Sequence, residues 1–140
     1  MFAKLLRVPY KAAAMLAFAL MVSGSTQLWL DVDGDGRPDS IRLEQQRAGV
    51  ALAVRYGDPR RAPQRFYFPA DSGREDAICS PLARLQVESQ DYDPSIALGE
   101  PLPGFRRSKT RKAFRLVDGL CDSIHFFWNY KTQRLDWWRL

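Results

Sequence analysis

Between residues 28 and 68, apolar and polar positions alternate in short runs separated by turn-forming residues. Leu28-Trp29-Leu30 is a short apolar run that enters an acidic loop. Ile41 and Leu43 alternate with Arg42 and Glu44 over 40–45, and Val50, Leu52, Val54 and Tyr56 share one face of 50–56. Gly49 and then Gly57-Asp58-Pro59 punctuate these runs, and residues 64–68, closed by Pro69, supply a fourth. Period-two alternation marks a half-buried strand, because successive side chains leave a strand on opposite faces. The spacing predicts a four-stranded antiparallel meander over 28–68.

The middle of the chain carries a weaker pattern. Residues 71–76 are polar and include Gly73, short helical turns are expected near 72–84, and 82–88 reads as a strand with Leu85 and Val87 on one face. Residues 91–104 hold Pro94, Pro101 and Pro103 and form a long connection. Periodicity returns at 113–117 and 123–129, and after a turn at 130–133 it continues through 134–140. Ile124, Phe126 and Trp128 share one face of this last hairpin, His125 and Phe127 the other. Aromatic rings on both faces predict that both faces are covered. The expected fold class is mainly β: a small antiparallel β-sheet domain with a meander and a C-terminal hairpin.

The first residues have a different pattern. Lys4, Arg7 and Lys11 precede an uninterrupted apolar run from Ala12 to Val22, followed by Ser23, Gly24 and Ser25. A basic segment, an apolar segment and small residues are the three parts of a secretory signal. The run is shorter than the about 20 residues that span a bilayer, so cleavage is expected over retention as an anchor. Residues 1–25 are thus read as a signal peptide and 26–140 as one β-rich domain, periplasmic or secreted. Without Lys4, Arg7 and Lys11 the chain keeps 18 basic against 16 acidic residues. That small excess implies no nucleic-acid partner. In an exported domain, Cys79 and Cys121 are expected to form one disulfide, worth roughly 3–4 kcal/mol by closing a long loop. Two cysteines and the lone His125 fall short of the four ligands of structural zinc.

The densest chemistry lies in Asp31-Val32-Asp33-Gly34-Asp35-Gly36-Arg37-Pro38-Asp39. Carboxylates this close repel one another unless a cation sits between them. Asp31, Asp33 and Asp35 occupy positions 1, 3 and 5 of the calcium-loop template, with Gly36 at the sharp turn. Arg37 offers a carbonyl at position 7 and Asp39 falls at position 9. Position 12, where the template has glutamate, is Arg42, and the flanks read as strands. The pattern is therefore a calcium loop embedded in β structure, and calcium is the expected cofactor.

Followed by alternating strands to about Tyr56, this loop resembles the FG-GAP repeat, also met in VCBS-type surface proteins. The resemblance implies that Asp31, Asp33, Asp35 and Asp39 and the Arg37 carbonyl hold calcium. It does not extend to a propeller, which needs about four blades or more. A partial echo, D-G-x-x-D-S-I, recurs from Asp118 to Ile124. There Phe114 and Leu116 replace the first two carboxylates, so the second copy lacks the ligand set.

Other candidates point to binding more than to catalysis. Arg106, Arg107, Lys109, Arg111 and Lys112 form a basic run suited to an anionic surface. The aromatic end, with Phe126, Phe127, Trp128, Tyr130, Trp137 and Trp138, holds more rings than one small face normally buries. His125, Asp91 and Asp93 are the acid–base candidates, but no nucleophile motif accompanies them. The expected function is an exported, non-enzymatic binding module that engages a protein or glycan of the cell envelope. A small periplasmic hydrolase using loop carboxylates and a periplasmic inhibitor or immunity-type protein are the alternatives.

Overall fold

The structure, a computed structural model, describes residues 25–71 and 73–140; apart from Ser25, the expected signal segment lies outside the described residues. Eight strands and one helical turn follow in order: β1 (Gln27–Leu30), β2 (Asp39–Gln46), β3 (Gly49–Arg55), β4 (Gln64–Pro69), β5 (Arg84–Ser89), α1 (Ser95–Leu98), β6 (Lys112–Val117), β7 (Ile124–Asn129) and β8 (Arg134–Trp138). They form two four-stranded antiparallel sheets, β1-β2-β3-β4 and β5-β6-β7-β8. Each strand pairs with its neighbour in sequence, so both sheets are meanders. The first is the meander that the alternation over 28–68 predicts. The second joins the predicted C-terminal hairpin to β5 and β6.

Register places the apolar alternates of each sheet on one face. Ile41 pairs with Val54 and Leu43 with Leu52, while Val50 faces Phe68. In the second sheet Leu116 lies between Leu85 and Ile124, and Phe114 lies opposite Phe126. These side chains form a single core shared by both sheets. Phe126 is its centre. It stacks on Phe114 at 4.7 Å and meets Phe66 and Phe68 of the opposite sheet edge-on at 5.5 and 5.9 Å. The rings of Phe68, Phe114 and Phe126 are buried, and each stabilises the fold by roughly 1.5–3 kcal/mol, while Phe66 is partly buried.

Both lateral openings between the sheets are stitched by hydrogen bonds. At one side Ser25 and Leu85 exchange backbone bonds of 2.9 and 2.7 Å, joining the chain before β1 to β5. At the other side the buried Gln64 amide of β4 acts as a piece of strand. Its Oε1 accepts the Leu135 N–H at 2.8 Å and its Nε2 donates to the Leu135 carbonyl at 3.1 Å. Tyr56 donates its hydroxyl to the same Oε1. A buried polar side chain is tolerable here because its bonds are made.

The outer face of the second sheet is covered, as its rings require. The connection after β5 folds back, so that Phe105 packs on Phe127 at 5.6 Å and Tyr92 packs on Phe105 at 5.3 Å. Buried Gln90 fastens this connection by donating to the Arg106 carbonyl at 2.6 Å. The single turn α1 lies within this proline-containing stretch and ends at Gly99, whose φ of 78° suits glycine. The segment expected to hold helical turns near 72–84 instead makes isolated turns, with Arg74 and Ala77 amides bonding carbonyls three residues earlier. Cys79 and Cys121 form the expected disulfide, with Cα atoms 5.7 Å apart.

Candidate cation site

The acidic loop is the hairpin connection between β1 and β2, whose last paired residues are Leu30 and Asp39. Gly34 and Gly36 take φ values of 76° and 85°, a region costly for other residues, and so let the chain coil back on itself. The coil points backbone amides inward. Asp31 Oδ1 accepts from Gly34 at 2.7 Å and Asp35 at 3.1 Å, and its Oδ2 accepts from Gly36 at 2.9 Å. Asp33 Oδ1 accepts from Asp35 at 3.1 Å. Asp39 is fully buried and ties two segments together: its Oδ2 accepts from Val32 at 2.8 Å and its Oδ1 from Gly57, beyond β3, at 2.7 Å.

Three of the four carboxylates converge. Asp31, Asp33 and Asp39 each place an oxygen within 4.8 Å of the other two. Calcium–oxygen bonds of about 2.3–2.6 Å can span such a triangle. A carboxylate oxygen that accepts one N–H keeps a second lone pair for a cation. Asp35 is exposed, and its Oδ1 accepts the Arg37 amide at 2.8 Å. The Arg37 guanidinium reaches outward to 4.0 Å from Asp58.

Burial pushes the carboxyls of Asp33 and Asp39 above the ordinary range, neighbouring carboxylates add to the rise, and backbone amides partly offset it. Arg61 Nε lies 2.8 Å from Asp33 Oδ2. The alignment is an ion pair without a hydrogen bond, since Asp33 Oδ2 is buried and accepts none. Arg61 is held in place over the Trp128 ring, 4.8 Å from its centroid. From the loop that leads into β6, the Arg111 guanidinium packs directly on Gly34, where any Cβ would collide with it. Of the three converging carboxylates, only Asp33 has an ion-pair partner among the described residues, Arg61.

Gly57 brings the end of β3 against the loop. A Cβ there would stand 2.6 Å from Arg37 Cβ and 2.9 Å from the Pro38 carbonyl. Gly57→Ala is therefore expected to push this segment away, weaken the Gly57–Asp39 bond and cost about 1–3 kcal/mol in denaturant unfolding. An unchanged midpoint would show that the contact is dispensable.

The D-G-x-x-D-S-I echo has a structural counterpart. Gly119 has a φ of 80°, matching Gly36. Asp118 Oδ1 accepts from Leu120 at 2.8 Å, as Asp35 Oδ1 accepts from Arg37, and it also accepts from Cys121 at 2.8 Å. Its Oδ2 takes the Cys79 amide at 2.6 Å, so this carboxylate knits the two halves of the disulfide together. The second loop joins β6 to β7, the second and third strands of its sheet, whereas the acidic loop joins the first and second. The turn recurs at different places in the two meanders.

The remaining candidates are used largely within the fold. Trp128 and Trp138 are buried, and Trp137 packs on Phe68 at 5.7 Å. In the basic run, Arg106 and Arg111 lie over Tyr130, 4.1 and 5.2 Å from its centroid, and Arg107 pairs with Asp91 at 2.7 Å. Lys109 and Lys112 are exposed. Asp93 accepts the Ser95 hydroxyl at 2.7 Å and the Ser95 amide at 3.0 Å, which hold its carboxyl below the ordinary range. Neither loop acid meets His125. The carboxylate that does is Glu88, whose two oxygens lie 3.0 Å from His125 Nδ1, while the imidazole stacks on Trp138 at 4.5 Å.

Sequence reasoning missed Arg61 and Glu88, whose partners lie in distant segments. It also missed Trp29, which stands 66% exposed. Its signal was present: Trp29 is out of phase with Leu28 and Leu30. Searches against protein-family models, curated proteins and solved structures found no match to this chain.

Proposed function

We propose that this chain is an exported, non-enzymatic binding module whose acidic loop holds a structural calcium ion. The convergence of Asp31, Asp33 and Asp39 oxygens carries the reading. Two further features support it: the left-handed glycines that coil the loop around its carboxylates, and the loop's resemblance to FG-GAP repeats. Calcium would neutralise carboxylates otherwise held together against their repulsion, and would lock the β1–β2 connection to the end of β3 through Asp39. Extracellular calcium would occupy even a weak site, with a dissociation constant on the order of 10⁻⁴–10⁻³ M.

The test is thermal unfolding and calorimetry of the chelator-treated protein as calcium is added. A ligand at about 100 times its dissociation constant stabilises by about 2.7 kcal/mol. We expect a rise in Tm of that origin, lost in Asp33→Ala. Protons compete for Asp33 and Asp39, whose pKa values lie above the ordinary range. The calcium-induced rise is therefore expected to shrink as pH falls toward that range. No heat of binding and no shift in Tm would overturn the cation reading.

A further inference from the structure

The outward face of the first sheet carries a groove of about 640 Å³ that no candidate above uses. Strand register builds it in rungs. Trp29, Ser40 and Arg55 align across β1, β2 and β3, and Arg42 and Ala53 form the next rung. Ala53 leaves the floor low, and the exposed Trp29 ring forms a wall. Among the described residues, Trp29 has no aromatic partner. On the same face Glu44 is neutralised by Arg65 at 2.7 Å. Arg42 and Arg55 are exposed and have no ion-pair partner among the described residues. Diagonal neighbours on adjacent strands stand roughly 7–8 Å apart. The groove thus offers one open indole and, side by side, two guanidinia without an ion-pair partner among the described residues.

We infer that this groove binds an acidic polysaccharide, a sugar chain carrying carboxylates, and the inference rests on the reading of the chain as an exported binding module. The flat indole face receives the apolar C–H face of a sugar ring. Arg42 and Arg55 each present a planar fork that matches a carboxylate in two parallel hydrogen bonds. Trp and Arg are also the side chains that most often dominate binding energy at an interface. A single-stranded nucleic acid fits less well, because its grip uses successive stacking rings along a basic track. An acidic peptide would find a sheet edge more useful, where free N–H and C=O groups extend its backbone pairing. This groove lies on the sheet face and presents side chains.

The test uses trigalacturonate, which is short and carboxylated, with its methyl ester as the uncharged counterpart. Calorimetry on the purified protein is expected to show binding to trigalacturonate and none to the ester. Trp29→Ala and the double variant Arg42→Ala/Arg55→Ala should each weaken binding about tenfold or more. All three side chains are exposed, so both variants should keep the parent's Tm and its response to calcium. Absence of trigalacturonate binding, equal binding of the ester, or unchanged affinity in the variants would overturn the inference. So would tighter binding of oligothymidylate or oligoglutamate through the same residues. Failure of the cation reading shows separately, as a Tm indifferent to calcium in the parent protein.

Discussion

Phe126→Ala is expected to lower the unfolding free energy by about 3–5 kcal/mol, the usual cost of emptying a buried aromatic site. Small domains have only about 5–15 kcal/mol in total. The position is severe for a topological reason. Phe126 is fully buried and contacts rings from both sheets: Phe114 beside it, and Phe66 and Phe68 across the core. Those neighbours are held by their own strand registers, so they have little freedom to collapse into the space. Denaturant unfolding measures the loss as a lower midpoint at constant slope. Phe126→Leu should lose less than half as much, because it refills most of the volume. Equal losses from both would show that ring geometry, more than volume, holds the sheets together.

Much of this arrangement is legible in the chain itself, because strand alternation is local. Val50, Leu52 and Val54 announce their shared face, and all three are fully buried. The exceptions are instructive. Tyr56 continues the alternation, yet β3 stops at Arg55, because the next amide, that of Gly57, is drawn to Asp39. Leu82 looks like the start of a strand and is 67% exposed, since β5 begins only where Arg84 finds Val117. Such endings are decided by partners far away in sequence.

The candidate site divides along the same line. The ligand spacing of Asp31, Asp33 and Asp39 is a property of one short loop, and so is the turn that brings them together. The positive charges that complete their surroundings are not. Arg61 arrives from the connection before β4 and Arg111 from the strand-entering end of a long loop in the other half of the chain. The open ring at Trp29 and the concealed ones at Trp128 and Trp138 cannot be told apart by residue type. Only the pairing of strands and the backfolded connection assign one to solvent and the others to the interior.

Asp39→Ala is expected to cost about 3–5 kcal/mol and to abolish the calcium response. The stability loss has a direct source. Hydrogen bonds to a charged acceptor contribute about 1.5–3 kcal/mol each, and Asp39 accepts two, from Val32 and Gly57. Truncation leaves the Val32 amide buried without a partner. Part of the loss is offset, because Asp31 repels the Asp39 charge and burial disfavours it. Asp39→Asn separates the two roles. Its amide oxygen still accepts one N–H, while its NH₂ group confronts the other, so it should lose about half as much stability in chelator. It removes one of the three negative charges that converge on the proposed cation. Calcium should therefore raise the Tm of the parent protein and leave both variants nearly unmoved. A full calcium shift in Asp39→Asn would mean that Asp39 serves only the two amides, and that the cation, if held, rests on Asp31 and Asp33.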